Sequence, residues 1–185
     1  NIVGKTVGTP NATINLLKTL NIFMNDGVDP YDNVYKGDGV ALKKMKDIKS
    51  YDEFYHYYLL LVDHYLDILA YSQAKSYEVM NEDVDFVFNS ILMDDCLAKG
   101  KPLLDGGVKY LGGCCETFGN TNAADALVAI KKLVFEEKRY SLTEINDALL
   151  ADFEGYEKMR KDMLDCPKYG NDDDYADSVY LDLYN

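Results

Sequence analysis

The stretch of sequence that decides the fold is Gly106–Lys138, GGVKYLGGCCETFGNTNAADALVAIKKLVFEEK. It begins as a glycine-rich strand or loop, passes two adjacent cysteines and continues as the most apolar helix of the chain. Asn120, Thr121 or Asn122 can cap this helix, which we predict over Ala123–Arg139. Its alanines allow close packing, and its larger apolar residues are expected in the core.

Length and charge limit the class of protein. The chain has 185 residues, the size of one domain, and 48% of them are hydrophobic, which is enough for a core. The net charge of −13 argues against nucleic acid, which requires a Lys/Arg-rich face, and an anionic membrane would also be repelled. Because there is no membrane-spanning run and no signal peptide, we expect a cytoplasmic protein.

Helical patterns and caps dominate the rest of the chain. Two capping boxes, each a serine followed three residues later by a glutamate, begin at Ser50 and Ser141. In the first half of the chain, we predict a helix over Pro10 to Gly27 with Thr9 as the N-cap, a short turn around Ala41 to Met45, and helices over Tyr51 to Val79 and Ile91 to Lys99. In the second half, we predict a helix from the Ser141 box to about Phe153, a further helix after the separating Gly155 that runs through Leu164, and a last helix capped by Asn171. The fold class is therefore mainly α, with one or two short strands at most.

The predicted helix Tyr51–Val79 is apolar around most of its circumference, which is typical of a helix buried on most sides. A narrow stripe of Asp52, His56, Asp63 and Asp67 remains polar. The stripe could hold a metal or an acid/base pair, but a solvated face is the stronger interpretation. Since 185 residues would struggle to surround such a helix, and the chain starts without Met, we expect a piece of a larger protein.

The strongest chemical candidate is the segment Gly112–Glu116, GGCCE. Either of its cysteines, Cys114 or Cys115, could act as a nucleophile, or the two could form a vicinal disulfide. No histidine lies nearby in sequence, and the adjacent carboxylate raises a thiol pKa, so residue chemistry alone favours buried structural thiols. Cys96 and Cys166 add no C-x-x-C pair, so no metal site and no cofactor-binding site are predicted.

Several segments, in order, resemble the glycyl radical enzymes of the pyruvate formate-lyase superfamily. Members carry a GG-x-[KR]-Y segment followed by a run like NxADSLxAIKKLVFEEK, and Ala126 stands where that run usually has serine. The matching segments are Gly106–Tyr110, Asn122–Lys138, Asp152–Glu157 (DFEGYE), Pro167–Asp173 (PKYGNDD), Leu17–Gly27 and Met93–Gly100. The resemblance covers most of the chain.

The resemblance implies that residues 1–185 are the C-terminal portion of a pyruvate formate-lyase-type domain, truncated at both ends. They would be a helical fragment of a larger α/β barrel of ten strands. The intact enzyme would cleave a C–C, C–O or C–N bond of a small organic substrate after forming a thiyl radical, as a formate acetyltransferase, dehydratase or lyase. The alternative is a non-catalytic helical scaffold or interaction module descended from such an enzyme.

The resemblance also implies the cofactor and the partners. The family stores a glycyl radical, which an activating enzyme with an iron–sulfur cluster and S-adenosylmethionine installs. The partners would be that activating enzyme and the small-molecule substrate, and a homo-oligomer is left open. The fragment alone is expected to be inactive.

The family's thiyl cysteine lies in a G-C-x-E motif, and Gly113–Glu116 matches those letters. In the family, however, that motif precedes the segment that resembles Leu17–Gly27, whereas here the match follows it. The thiyl cysteine and the glycyl radical are therefore expected outside this chain, and Cys114 with Glu116 is the weaker candidate for a catalytic pair.

Overall fold

A computed structural model describes residues 4–7, 12–84, 86–113 and 115–184. The described part is mainly helical, with two short parallel strands that form one sheet, which confirms the predicted fold class. The elements are β1 (Ala12–Asn15), α1 (Leu16–Met24), α2 (Tyr51–Asp83), α3 (Val87–Ile91), α4 (Cys96–Lys99), β2 (Cys115–Phe118), α5 (Asn120–Ile130), α6 (Leu142–Leu150), α7 (Glu157–Leu164) and α8 (Asp174–Tyr184). A 3-10 turn covers Met45–Asp47, and wider helical turns cover Leu103–Gly107 and Lys131–Glu136.

The chain divides into two compact units. The first comprises residues 1–14 and 65–116, and the second comprises residues 15–64 and 117–185. The long helix α2 therefore supplies its N-terminal part to the second unit and its C-terminal part to the first.

The core of the second unit is built on aromatic residues and on α5. Phe23, Phe54 and Tyr58 are fully buried, and the ring centroids of Phe23 and Phe54 lie 5.1 Å apart. The small residues Ala123 and Ala124 of α5 are also fully buried, and α5 packs against α1 and α8. The predicted role of the alanine-rich helix as a close-packing core element is confirmed.

The core of the first unit includes Val108, a residue of the glycine-rich segment. Its buried members are Tyr77, Cys96, Leu103, Leu104 and Val108. Beyond Val108 the chain pairs with the described N-terminal residues, since Thr6 and Tyr110 form a parallel bridge. The Tyr110 amide donates a hydrogen bond to the Lys5 carbonyl at 2.9 Å. Two contacts thus hold the segment that precedes β2: Val108 is buried in this core, and the backbone of Tyr110 pairs with the N-terminal residues.

The prediction of a helix from Pro10 is wrong. Thr9 and Pro10 lie outside the described residues, but Ala12–Asn15 form β1, and α1 begins only at Leu16. The four residues of β1 alternate between buried and exposed, the pattern of a strand with one covered face. Asn15 is the N-cap, because its side chain accepts a hydrogen bond from the Lys18 amide at 3.0 Å.

Two predicted helices have other bounds because local backbone strain interrupts them. Instead of one helix over Ile91–Lys99, α3 and α4 are separate, and Asp95 before α4 has a left-handed φ of 73°. The helix from the Ser141 box ends at Leu150 rather than Phe153, since Asp152 and Phe153 both have positive φ. The Ser141 capping box itself is confirmed, with both of its hydrogen bonds present.

Three further boundaries differ from prediction. The short turn lies at Met45–Asp47 rather than Ala41–Met45. The last helix begins at Asp174, and its cap is the Asp173 carboxylate rather than Asn171, because that carboxylate accepts from the amides of the next turn at 3.0 and 3.1 Å. The apolar helix of α5 begins at Asn120, three residues earlier than predicted, and its regular part gives way to the wider turn after Ile130.

The first capping box is half present. The Ser50 hydroxyl accepts a hydrogen bond from the Glu53 amide at 3.2 Å, as the motif predicts. The Glu53 carboxylate accepts instead from the Lys49 amide at 2.8 Å and forms an ion pair with Lys43. The box still begins α2 at Tyr51, and α2 continues to Asp83, four residues beyond the predicted end at Val79.

Candidate functional site

The candidate site is the glycine-rich segment that enters β2. Its backbone is held by two side chains of α2 that lie four residues apart and are nearly completely buried, Gln73 and Tyr77. The Tyr77 hydroxyl donates a hydrogen bond to the Gly112 carbonyl at 3.4 Å. A Cβ added to Gly113 would overlap with Oε1 of Gln73 and lie 2.9 Å from its Cδ. A side chain at position 113 would therefore require the buried Gln73 side chain to shift.

All four residues of β2 are exposed. Because side chains alternate along a strand, Cys115 and Thr117 project from one face and Glu116 and Phe118 from the other. Each face thus combines one more polar and one more apolar residue, and neither is covered within the described part of the chain. A strand exposed on both faces is a surface that further structure can cover.

The structure places the proposed catalytic pair only in part. Cys114 lies outside the described residues, so its distance from Glu116 is not part of the structure. Glu116 is exposed on β2, and its carboxylate has no hydrogen bond or ion pair with another described residue. Cys115 is a free, exposed thiol whose Sγ lies 4.0 Å from the Glu116 carbonyl oxygen. The prediction of a buried structural thiol is therefore wrong for Cys115 within the described ranges, where neither face of β2 is covered.

The other two described cysteines, Cys96 and Cys166, lie in the interior. Cys96 and Cys166 are free and buried, and burial raises the pKa of both thiols. The Cys166 thiol also donates to the Asp162 carbonyl at 3.4 Å. Both side chains are therefore protonated core residues rather than nucleophiles.

The polar stripe of α2 is a solvated face, as predicted. Asp52, His56, Asp63 and Asp67 are all exposed. In the described ranges, no three His, Cys, Asp or Glu side chains come together as a cluster that could hold a metal ion. No helix in those ranges combines the length and the hydropathy needed to cross a bilayer.

Gln73 and Tyr77 are not among the candidate residues that the sequence indicates. Their spacing of four residues puts them on the same face of α2, one turn apart. A glutamine on the buried face of a helix is uncommon, so it is a signal of a specific contact. The sequence could not indicate that this contact is the backbone of Gly113, since the two residues are 40 positions apart.

The model of the family described as pyruvate formate lyase-like matches residues 1–185. The trans-4-hydroxy-L-proline dehydratase of Clostridioides difficile is 31% identical over 183 residues, which are 98% of this chain and 23% of the relative. The chain belongs to the pyruvate formate lyase-like family.

Two solved structures have a backbone that superposes closely on that of this chain. The hydroxyproline dehydratase of Clostridioides difficile, solved with bound trans-4-hydroxy-L-proline, superposes with a TM-score of 0.93 at 30% identity over 98% of this chain. A glycyl radical enzyme from Archaeoglobus fulgidus superposes with a TM-score of 0.86 at 29% identity, again over 98% of this chain. In both, the chain covers 23% of the solved protein, so it spans less than a quarter of the relatives that it matches.

Proposed function

We propose that the chain is part of a glycyl radical enzyme that cleaves a bond of a small organic substrate after a thiyl radical removes one of its hydrogen atoms. The observation that carries the proposal is the match of sequence and backbone along nearly the whole chain, with a TM-score of 0.93 over 98% of its residues. The relatives with these matches include dehydratases, which favours elimination of water, with cleavage of a C–O bond, over C–C or C–N cleavage and acyl transfer.

The two strands support a role inside a larger barrel. A two-stranded sheet is marginal by itself, and parallel sheets are normally covered on both faces. On β1, Ala12 and Ile14 are buried whereas Thr13 is exposed, so only one face of this strand is covered. β2 is exposed on both faces. Residues 1–185 then serve as the C-terminal portion of a pyruvate formate-lyase-type domain, and further strands extend the sheet.

The radical carriers belong to other parts of the intact enzyme in this proposal. The glycyl radical is the cofactor, and it supplies the oxidation that generates the thiyl. An activating enzyme with an iron–sulfur cluster and S-adenosylmethionine is the partner that installs it. The substrate is a small organic molecule, and the compartment is the cytoplasm. Exposed apolar residues of α2, such as Ile68 and Tyr71 at 47% and 67% exposure, fit burial in the intact protein or in a homo-oligomer.

Electron paramagnetic resonance of the intact protein tests the proposal. After anaerobic incubation with a competent activating enzyme and S-adenosylmethionine, we expect the doublet of a glycyl radical. The same mixture without S-adenosylmethionine is the control and should show no doublet. A silent spectrum after competent activation would favour the alternative, a non-catalytic scaffold of the same fold.

A second experiment tests the assignment of Cys114 and Glu116 as residues outside the radical pathway. In the intact enzyme, Cys114→Ala and Glu116→Gln should each retain the glycyl doublet and most of the turnover. If either variant keeps the doublet but loses turnover by a factor of about 1,000 or more, the residue takes part in the radical chemistry. In that case, the assignment based on motif order is wrong.

A further inference from the structure

The amino-acid pattern of β2 does not determine which of its faces points into the enzyme. In most strands, the apolar side chains lie on one face and direct that face toward the core. A register shift of one residue would move all of these side chains to the other face. In β2, Cys115 with Thr117 and Glu116 with Phe118 give two faces of mixed character, and all four residues are exposed. The face must therefore be set by the pairing of β2 with β1 and by contacts at the ends of the strand.

The end that precedes β2 is held by α2. Tyr77 is 9% exposed and belongs to the core that also contains Leu103 and Leu104, so its hydroxyl has a defined position. That hydroxyl donates to the Gly112 carbonyl at 3.4 Å. Gln73 is also 9% exposed, and its side chain lies where a Cβ at position 113 would be. We call these two residues the α2 clamp.

The two adjacent glycines differ in their surroundings, which shows where the clamp acts. A Cβ added to Gly112 meets no heavy atom within 4 Å, whereas one added to Gly113 overlaps with Gln73. Neither glycine has a φ in the left-handed region that disfavours other residues. Alanine therefore fits the backbone at both positions, and only position 113 is restricted, by the side chain of Gln73.

We propose that Gln73 and Tyr77 are positioning residues that hold Gly112–Gly113 and thereby help to set, together with the pairing to β1, which face of β2 is directed into the interior of the intact protein. The existence of the clamp does not depend on the proposed function. Its consequence, a defined strand face toward a substrate, rests on the proposal that β2 is a strand of a glycyl radical enzyme barrel.

The test compares Gly113→Ala with Gly112→Ala in the intact protein. One readout is the rate at which a maleimide labels Cys115, relative to a cysteine placed on the opposite face by Glu116→Cys in a Cys115→Ala background, with each site resolved by peptide mass spectrometry. The second is hydrogen exchange over residues 110–118, which gives a result even where neither thiol is reachable. Gly113→Ala should change the labelling ratio or the exchange rate about fivefold or more, and Gly112→Ala should leave both unchanged.

A second substitution distinguishes positioning from general loss of structure. Gln73→Ala removes the atoms that the new Cβ would strike, so the double variant with Gly113→Ala should recover the exchange rate of Gln73→Ala alone. General unfolding would instead expose both strand faces to label and would not be relieved by Gln73→Ala. Equal behaviour of the two glycine variants, or failure of Gln73→Ala to suppress the effect of Gly113→Ala, overturns the clamp.

The outcome is independent of the test of function. Since the proposed radical carriers lie elsewhere, the glycine variants should retain the glycyl doublet. A protein that forms no doublet but shows the labelling difference refutes the proposed function and leaves the clamp standing. A protein that forms the doublet but shows no labelling difference supports the proposed function and refutes the clamp.

Discussion

Replacing Tyr58 with phenylalanine removes one hydroxyl group from the core of the second unit and leaves the ring in place. Tyr58 is fully buried, and its hydroxyl donates a hydrogen bond to the carbonyl of Leu16 at 3.1 Å. This bond joins α2 to the first residue of α1 across 42 positions of sequence. Burial also raises the pKa of Tyr58, so the hydroxyl remains a neutral donor throughout the physiological range.

The expected loss of stability is that of one buried hydrogen bond. A buried neutral hydrogen bond contributes about 1 kcal/mol net, within a range of about 0.5–1.5 kcal/mol. Since about 1.4 kcal/mol corresponds to a factor of ten, the opening equilibrium of α1 should shift about fivefold, within a range of about two- to twelvefold. The ring contact between Phe23 and Tyr58, with centroids 6.4 Å apart, should be retained.

Hydrogen exchange of the α1 amides measures this local opening in the intact protein. The matched control is Tyr57→Phe, one residue earlier on the same helix, because the half-buried Tyr57 forms no hydroxyl hydrogen bond with another described residue. We expect the α1 amides to exchange about fivefold faster in Tyr58→Phe and unchanged in Tyr57→Phe. If both variants leave α1 exchange unchanged, the bond to Leu16 does not hold α1 to α2.

Three further predictions concern a cap and two titrating groups. Ser141→Ala should lower the stability of α6 by about 1 kcal/mol, measured by exchange of its first-turn amides, because the serine and Glu144 cap each other; equal exchange would contradict this. Burial raises the pKa of Tyr55 from 10.0 to about 12, so the contribution of this residue to stability should be full below pH 10 and be lost as the pH rises through 12. In a plot of the urea midpoint against pH, Tyr55→Phe should therefore reduce the decline above pH 10. The hydrogen bond from Lys18 lowers the pKa of Asp29 below its ordinary value of 3.8, so the contribution of this carboxylate to stability should be present above pH 4 and be lost as the pH falls. If Asp29→Asn loses as much stability at acidic pH as the unchanged protein does, this prediction is wrong.

The success of the helix predictions depended on how local the signal is. The Ser141 box and the alanine-rich run of α5 involve residues within one or two turns of each other, and both are present in the structure. The strand Ala12–Asn15 was missed because four residues are too few to outweigh the helical pattern that follows. The break before α4 depends on the left-handed φ of Asp95, a strained conformation that the sequence does not indicate.

The sequence indicated which residues form the candidate site, but it did not indicate which residues they contact. The segment Gly112–Glu116 stood out because glycines and cysteines are adjacent there. The restriction on a larger residue at position 113 comes only from the side chain of Gln73, which lies 40 positions away in the sequence. The exposure of Cys115 was equally unpredictable, because burial depends on which elements cover β2.

The sequence by itself determined the family and the helical character, since both depend on ordered local motifs such as Gly106–Tyr110 and Asn122–Lys138 that survive without any knowledge of packing. Only the tertiary structure decided that the glycines before β2 lie against α2 and that the GGCCE segment enters an exposed strand. The physical reason is that close approach and burial are pairwise properties of residues distant in the chain, whereas capping and helix formation are determined by neighbours.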